Sequence, residues 1–463
     1  MSSMTSFFTP ITSPALLILV LMLAGTASMP GTGSSELPAE AQASSGYVLI
    51  PMDDGQRNHL KAYGVMFQHL KDGHTGKWLL NYRSGSFLAP QTGEIVRRSR
   101  VRGVTIEQIS SSRARQIIEE VERPNVNMSV IELEKAPKIA VYTPDHALPW
   151  DDAVTLALTY AEVPYETIYN KEVLNGELDE YDWLHLHHED FTGQHGKFWA
   201  AYRDQPWYIR QVRDLEEMAA EMGYDKVSEM KKAVVWTIRE YIGNGGFMFA
   251  MCSGTDTFDI ALSAMEVDIV PTPFDGDPAD LDANEKLDYT NTLAFKDFEV
   301  TLNPAEYRHG NIDIPNVQQR MLSVDEEMDY FTLFDFSAKW DPVPTMLTQN
   351  HVSSIKGFYG QTTAFREETI KNNVVILAKT PGRNEAKYIH GNHGEGFFTF
   401  YSGHDPEDYT HRVGDPPTEL ELFPNSPGYR LILNNILFPA AQKQEMQTLR
   451  DYLEDSHFSS RQR

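Results

Sequence analysis

Short apolar runs alternate along this chain with longer stretches whose hydrophobic positions recur at helical spacing. That alternation is the pattern of buried strands and covering helices in an α/β sheet. Residues 138–144 contain a short apolar run of the kind buried on both faces of a parallel sheet. Asp151 and Asp152 stand where they can cap a helix carrying Val154, Leu156, Leu158 and Ala161, and strands are expected next over 165–169 and 181–188. Helices follow over 211–222, stopped by Gly223, and over 227–242, stopped by Gly243; in the second, Val234, Val235, Ile238, Tyr241 and Ile242 make one apolar stripe. A strand over 246–251 runs straight into a helix beginning at Ser253, strands over 373–378 and 396–401 come late, and a helix over 429–437 closes the domain.

The fold class expected from this order is α/β, a doubly wound parallel sheet of the flavodoxin-like kind over residues 138–441. Residues 47–137 read as a smaller N-terminal α/β unit, with strands over 47–52 and 77–82 and helices over 58–67 and 112–121.

The ends of the chain follow a different pattern. Residues 14–24 are an apolar run succeeded by Gly25, Thr26, Ala27 and Ser28, which is a secretory core with a small-residue cleavage zone, too short to span a bilayer. The expectation is a signal peptide over 1–27, a flexible linker over 28–46, a polar tail over 442–463, and export to the periplasm or beyond with no membrane association after cleavage. The formal net charge is −26 over 463 residues, which repels phosphate backbones and excludes nucleic acid as a partner class. A small molecule, sugar or peptide remains. The single cysteine cannot form an internal disulfide.

Ligands in such sheets bind beyond the carboxyl ends of the strands. Four expected strand ends carry polar clusters: Asp145-His146; His187-His188-Glu189-Asp190; Cys252-Ser253-Gly254-Thr255-Asp256; and Gly403-His404-Asp405-Pro406-Glu407. A thiol at a strand end with helix amides aimed at it favours the thiolate.

Ala250-Met251-Cys252-Ser253-Gly254 resembles the G-x-C-x-G nucleophile elbow of class I glutamine amidotransferases, with Ala250 in place of the first glycine. Gly403-His404-Asp405-Pro406-Glu407 is similar to their His-Pro-Glu segment with one residue inserted, and 396–404 is similar to the Gly-His segment of the ThuA-like branch, which generally lacks the cysteine. Residues 183–193 and 387–391 resemble a bacterial family of Bacteroidota whose members often carry the label asparagine synthetase B. That last likeness implies kinship and no synthetase chemistry, because Ser253-Gly254-Thr255-Asp256-Thr257 lacks the second glycine of a pyrophosphatase loop.

The amidotransferase resemblance implies a hydrolase of amide-like bonds in which Cys252 attacks, His404 carries the proton, Glu407 or Asp405 orients the imidazole, and amides near Ser253 and Gly254 face the oxyanion. His187, His188, Glu189, Ser253, Gly254 and Asp256 are the expected substrate-binding residues. No cofactor is required by this reading. A second mechanism has His187, His188, Glu189 or Asp190 and His404 hold a divalent metal that activates water. The third alternative is a non-catalytic ThuA-like protein that binds carbohydrate or peptide, with Trp199, Tyr202, Trp207 and Tyr208 as stacking surfaces. His185 reads as structural, and His390 and His393 as solvated side chains beside a turn at Gly391-Asn392.

Overall fold

The computed structural model describes residues 46–145, 148–314, 330–409 and 412–441. The expected signal peptide, the linker up to residue 45, His146 and the polar tail lie outside the described residues. No helix among the described residues is long and apolar enough to cross a membrane. The described residues form one compact unit containing two sheets.

The first sheet is antiparallel, with strands β1 (Gly46–Ile50), β2 (Gly76–Leu80), β3 (Ser86–Pro90), β4 (Glu107–Ser110) and β5 (Ser129–Leu133) in the order β4-β1-β3-β2-β5. Its core residues Val48, Ile50, Trp78 and Phe87 belong to the same apolar cluster as Ile139, Val141 and Phe249 of the second sheet. The chain changes sheets between Leu133 and Ile139, and packing continues across the change.

The second sheet is mixed. Strands β6 (Ile139–Tyr142), β7 (Glu166–Ile168), β8 (Trp183–Leu186), β9 (Phe247–Met251) and β15 (Gly396–Tyr401) run parallel in the order β7-β6-β8-β9-β15. Beyond β15 the sheet turns antiparallel through β14 (Glu385–His393), β13 (Val375–Lys379), β10 (Tyr330–Leu333) and β11 (Ser354–Lys356), with β12 (Phe365–Arg366) also pairing β14. The expected all-parallel sheet is therefore only half of what forms. The hairpin joining β14 to β15 is the reason: His393 pairs with Gly396, so the turn is made by Gly394 and Glu395 and the chain reverses without a crossover helix. This also corrects the turn expected at Gly391-Asn392. His390 lies inside β14, buried, with Nδ1 3.2 Å from the Phe398 carbonyl.

Strand periodicity divides the core between the two faces. Along β9, Phe249 and Met251 join one apolar cluster, with residues of the helices Ala153–Ala161 and Pro427–Leu437, while Met248 and Ala250 join the other, with residues of Val227–Gly243 and Ser253–Ser263. Two expected helices start earlier than their apolar stripe: Pro206–Glu221 and Pro427–Leu437 each open with proline, whose missing amide costs nothing in a first turn. The carboxyl ends of β6, β8, β9 and β15 consequently lie side by side along one edge.

Candidate functional site

Three of the four polar strand ends come together. His187 follows β8, Cys252 follows β9 and His404 follows β15, and one ring nitrogen each from His187, His188 and His404 lies within 4.8 Å of the others. The His187 and His404 rings are 4.4 Å apart by centroid, and His188 Nδ1 is 2.6 Å from His187 Nδ1.

Backbone carbonyls fix two of these imidazoles. His187 Nε2 donates to the His404 carbonyl at 3.1 Å, and His404 Nε2 donates to the Asp151 carbonyl at 3.0 Å. A carbonyl can only accept, so each ring carries its proton on Nε2 and presents Nδ1 as a lone pair when neutral. The carboxylates that face the cluster are Asp151, 3.4 Å from His404 Nε2, and Asp152, 3.5 Å from His187 Nδ1 and 3.8 Å from His185 Nε2. Asp152 also caps its helix, accepting from the amides of Val154 and Thr155. Burial works against charge on Asp152 and His187, yet the two histidines hold the Asp152 carboxyl well below the usual range and Asp152 raises His187 in return. His185, farther from the carboxylate and wholly buried, is lowered by burial.

The acids expected to orient His404 make other contacts. Asp405 is buried, accepts from the Glu407 amide and the Tyr429 hydroxyl, and is pushed up to about 6 by burial; Glu407 accepts from the Tyr409 hydroxyl. Asp151, which sequence reading assigned only to a helix cap, faces the imidazole.

Cys252 sits at the point where β9 passes into the helix Ser253–Ser263, with φ 50° and ψ −137°. A left-handed φ at a residue with a side chain stores strain and is found where a sharp strand-to-helix turn must be held. The sulfur is buried, with the amides of Thr362, Ser253 and Gln361 directed at it; burial nevertheless prevails and pushes the thiol up to about 11. The expected thiolate preference is overturned because removal from water outweighs three amide dipoles. A Cβ added to Gly360 would lie 3.0 Å from the sulfur and 2.8 Å from the His404 amide, so Cys252 and His404 are neighbours around one glycine that also covers the thiol. Ser253, Gly254 and Asp256 are fully buried in the helix start; a Cβ at Gly254 would meet the His187 carbonyl at 2.0 Å, which makes this glycine a packing requirement. Asp256, pushed up to about 6 by burial, accepts from the Thr362 hydroxyl at 2.8 Å.

The open space lies on the other side of His188. A cavity of about 240 Å3 is lined by His188, Glu189 and Asp190 from the β8 end, by Trp150 and Phe198, and by Gln211, Asp214, Leu215 and Met218 from the helix Pro206–Glu221. Glu189 is met by the buried Lys231 ammonium at 3.5 Å and accepts from the Tyr169 hydroxyl at 3.3 Å. Burial raises its carboxyl despite the lysine, and lowers Lys231 despite the carboxylate. Asp190 is used differently: it accepts from Thr192 and from the Gly196 amide, stands 3.5 Å from His309, and is held below the usual range in spite of its burial. It does not join the imidazole cluster among the described residues. Lys231 and Asp151 were missed by sequence reading, since a lysine inside an amphipathic helix and an aspartate at a helix start carry no signal of their own.

No protein-family model and no curated protein matches the chain. Among solved structures it is similar to two cytoplasmic proteins of Salmonella typhimurium, STM3548 (TM-score 0.32, 12% identity) and STM1381 (TM-score 0.33, 12% identity), each match covering 66% of this chain and 100% of the other. It is also similar to a catalytic mutant of the GH42 β-galactosidase Gan42B of G. stearothermophilus, at TM-score 0.24 and 10% identity, over 57% of this chain and 27% of that one. At such scores the likenesses carry no argument about this chain.

Proposed function

We propose that the protein is an exported, metal-dependent hydrolase of an amide-like or ester-like carbonyl bond, built on a flavodoxin-like, class I amidotransferase-like sheet. The observation that carries this reading is the convergence of His187, His188 and His404 at the strand ends beside a cavity. Three imidazoles are the protein ligands of a catalytic zinc site that leaves a fourth position for water. The carbonyls of His404 and Asp151 supply the outer contacts that orient two of these ligands. A bound divalent ion would lower the pKa of its water to about 7 and polarise the substrate carbonyl. His188 and Glu189 line the same cavity, and a buried carboxyl with a raised pKa is suited to taking the proton from that water and returning it to the leaving group. Hydrolysis there would need a water oxygen to bond to the carbonyl carbon as the bond to the leaving nitrogen or oxygen breaks, with Glu189 placed to take up the water's proton and return it to the leaving group. The parallel order β7-β6-β8-β9-β15 and the polar strand ends support the sheet assignment.

The test is hydrolysis of a panel of nitrophenyl esters and anilides by the purified chain before and after chelation. Activity lost with chelator, restored by zinc, manganese or cobalt, and absent in His404→Ala is expected; hydrolysis indifferent to chelator and to His188→Ala contradicts the proposal.

A second reading is favoured by the strained backbone at Cys252 and the three amides aimed at its sulfur. Here Cys252 is the nucleophile, His404 its base and Asp151 the orienting acid. Loss of hydrolysis and of covalent labelling in Cys252→Ala, with chelator without effect, selects this mechanism.

A further inference from the structure

Residues 357–364 cross from β11 to β12 without forming helix or strand, yet Phe358, Tyr359, Thr362 and Thr363 are buried. A buried stretch with no ladder of its own leaves backbone carbonyls to be met by other groups. Lys387 meets two of them. It lies in β14, inside the segment 387–391 that stood out in the sequence, and its buried ammonium donates to the carbonyls of Phe358 at 3.2 Å and of Thr363. The rings of Phe358 and Phe331 lie 5.3 and 6.0 Å from that nitrogen. An ammonium taken out of water into a central strand is costly unless it is hydrogen-bonded, and here both ends of one loop are gathered onto it.

The loop so closed supplies the acceptors for the strand end that carries His404. Past β15, three successive amides are tied down: Ser402 donates to the carbonyl of Lys387 at 2.9 Å, Gly403 to that of Thr362 at 2.7 Å, and His404 to that of Tyr359 at 2.9 Å. The last two acceptors lie between the carbonyls that Lys387 draws together. A Cβ on Gly360 would lie 2.8 Å from the His404 amide, and one on Gly403, where φ is 89°, would lie 2.4 Å from the Phe358 ring, so loop and strand end leave each other no room to shift. The His404 ring is fixed at its other end, where Nε2 donates to the Asp151 carbonyl at 3.0 Å. Amide and ring tip together set where this imidazole stands beside those of His187 and His188, and the first of the two anchors depends on the loop.

We infer that Lys387 is the positioning residue of His404: its ammonium clamps the Phe358 and Thr363 carbonyls, and the clamped loop holds the His404 backbone where its ring can join the other two imidazoles. This rests on the hydrolase reading for the role of His404 as a ligand, while the clamp itself stands on the loop alone.

The experiment follows the histidine ring protons of the metal-free full chain by NMR with nitrogen-15 histidine, the His404 signal being identified by its loss in His404→Ala. The expected result is a protected Nε2 proton on His404 that exchanges with solvent at least about tenfold faster in Lys387→Met, while the Nδ1 proton that His390 of the same strand donates to the Phe398 carbonyl keeps its rate. Zinc affinity falls about tenfold in the same variant. If Lys387→Met does not fold, Lys387→Gln, which keeps a donor for one carbonyl, shows a smaller loosening in the same direction. Equal loosening of His390 and His404, an unchanged His404 proton, no protected His404 proton in the native chain, or a zinc affinity that the variant leaves unchanged overturns the inference. The ring protons are read without metal, so a native chain that shows the clamp and binds no zinc contradicts the hydrolase reading alone.

Discussion

The ends of β8 and β9 are neighbours in one parallel sheet, both were read as chemically loaded, and they are put to opposite uses. After β9 the chain enters a helix at once, and every residue from Ser253 to Ser263 is buried, together with the thiol before it. After β8 no regular helix follows directly. The chain makes left-handed turns at Gly193, His195, Gly196 and Lys197, and the cavity opens between this loop and the helix Pro206–Glu221. A polar residue at a strand end is therefore only an offer of chemistry. What the chain does in the next few residues decides whether it faces a ligand or a core.

The comparison breaks most readily at the imidazoles. His404→Ala should lower zinc affinity more than about 100-fold by calorimetric titration, because even outer contacts to ligands are worth about 10- to 100-fold. An unchanged affinity would place His404 with the buried side. Lys231→Met should destabilise the fold by about 3–5 kcal/mol at pH 8, since it leaves the Glu189 carboxylate buried and unmatched. Because burial raises that carboxyl, the cost should shrink as pH falls and it takes up a proton, and thermal melts at pH 8 and at a lower pH read the difference.

Asp152→Asn sharpens the contrast within the imidazole group. It keeps the shape and loses the charge facing His187, so zinc binding should weaken about tenfold while the helix cap largely survives. On the β9 side the effects should be on stability alone. Asp256 has its pKa raised to about 6 in the fold, so its contribution is fully present below its ordinary value near 4 and is lost as pH rises through 6. Asp256→Asn should accordingly gain about 1–2 kcal/mol relative to the native chain between pH 4 and pH 7, by denaturant melts, if Thr362 keeps its acceptor. Smallest of all, Cys252→Ala should leave zinc affinity and turnover within about twofold, as befits a small buried hydrophobe; a loss beyond about 100-fold in turnover would move the chemistry to the elbow.

Much of the architecture was legible in the residues, and the reasons are specific. Strands β6, β8, β9 and β15 are apolar runs bounded by polar clusters, and the helix Val227–Gly243 has one apolar stripe, so period and punctuation agree. The antiparallel half was not legible, because β10 and β11 are short segments whose pairing depends on partners far along the chain. His187, His188 and His404 were readable as rim residues because imidazoles at the ends of buried strands have no packing motive. Their partners were not. Asp151 looked like a cap, Lys231 looked like the polar face of a helix, and the oxygen that fixes His187 is a backbone carbonyl, which carries no sequence signal at all.

The central claim is that the β8 end, together with β15, forms a metal-binding lip while the β9 end is packing. Titration of the metal-free chain with cobalt, followed in the visible spectrum, addresses it most directly. One equivalent of cobalt giving ligand-field bands of a tetrahedral or five-coordinate nitrogen site, abolished by His188→Ala and indifferent to Cys252→Ala, is the predicted result. A sulfur-to-cobalt charge-transfer band that disappears in Cys252→Ala, or no saturable binding at all, would contradict it.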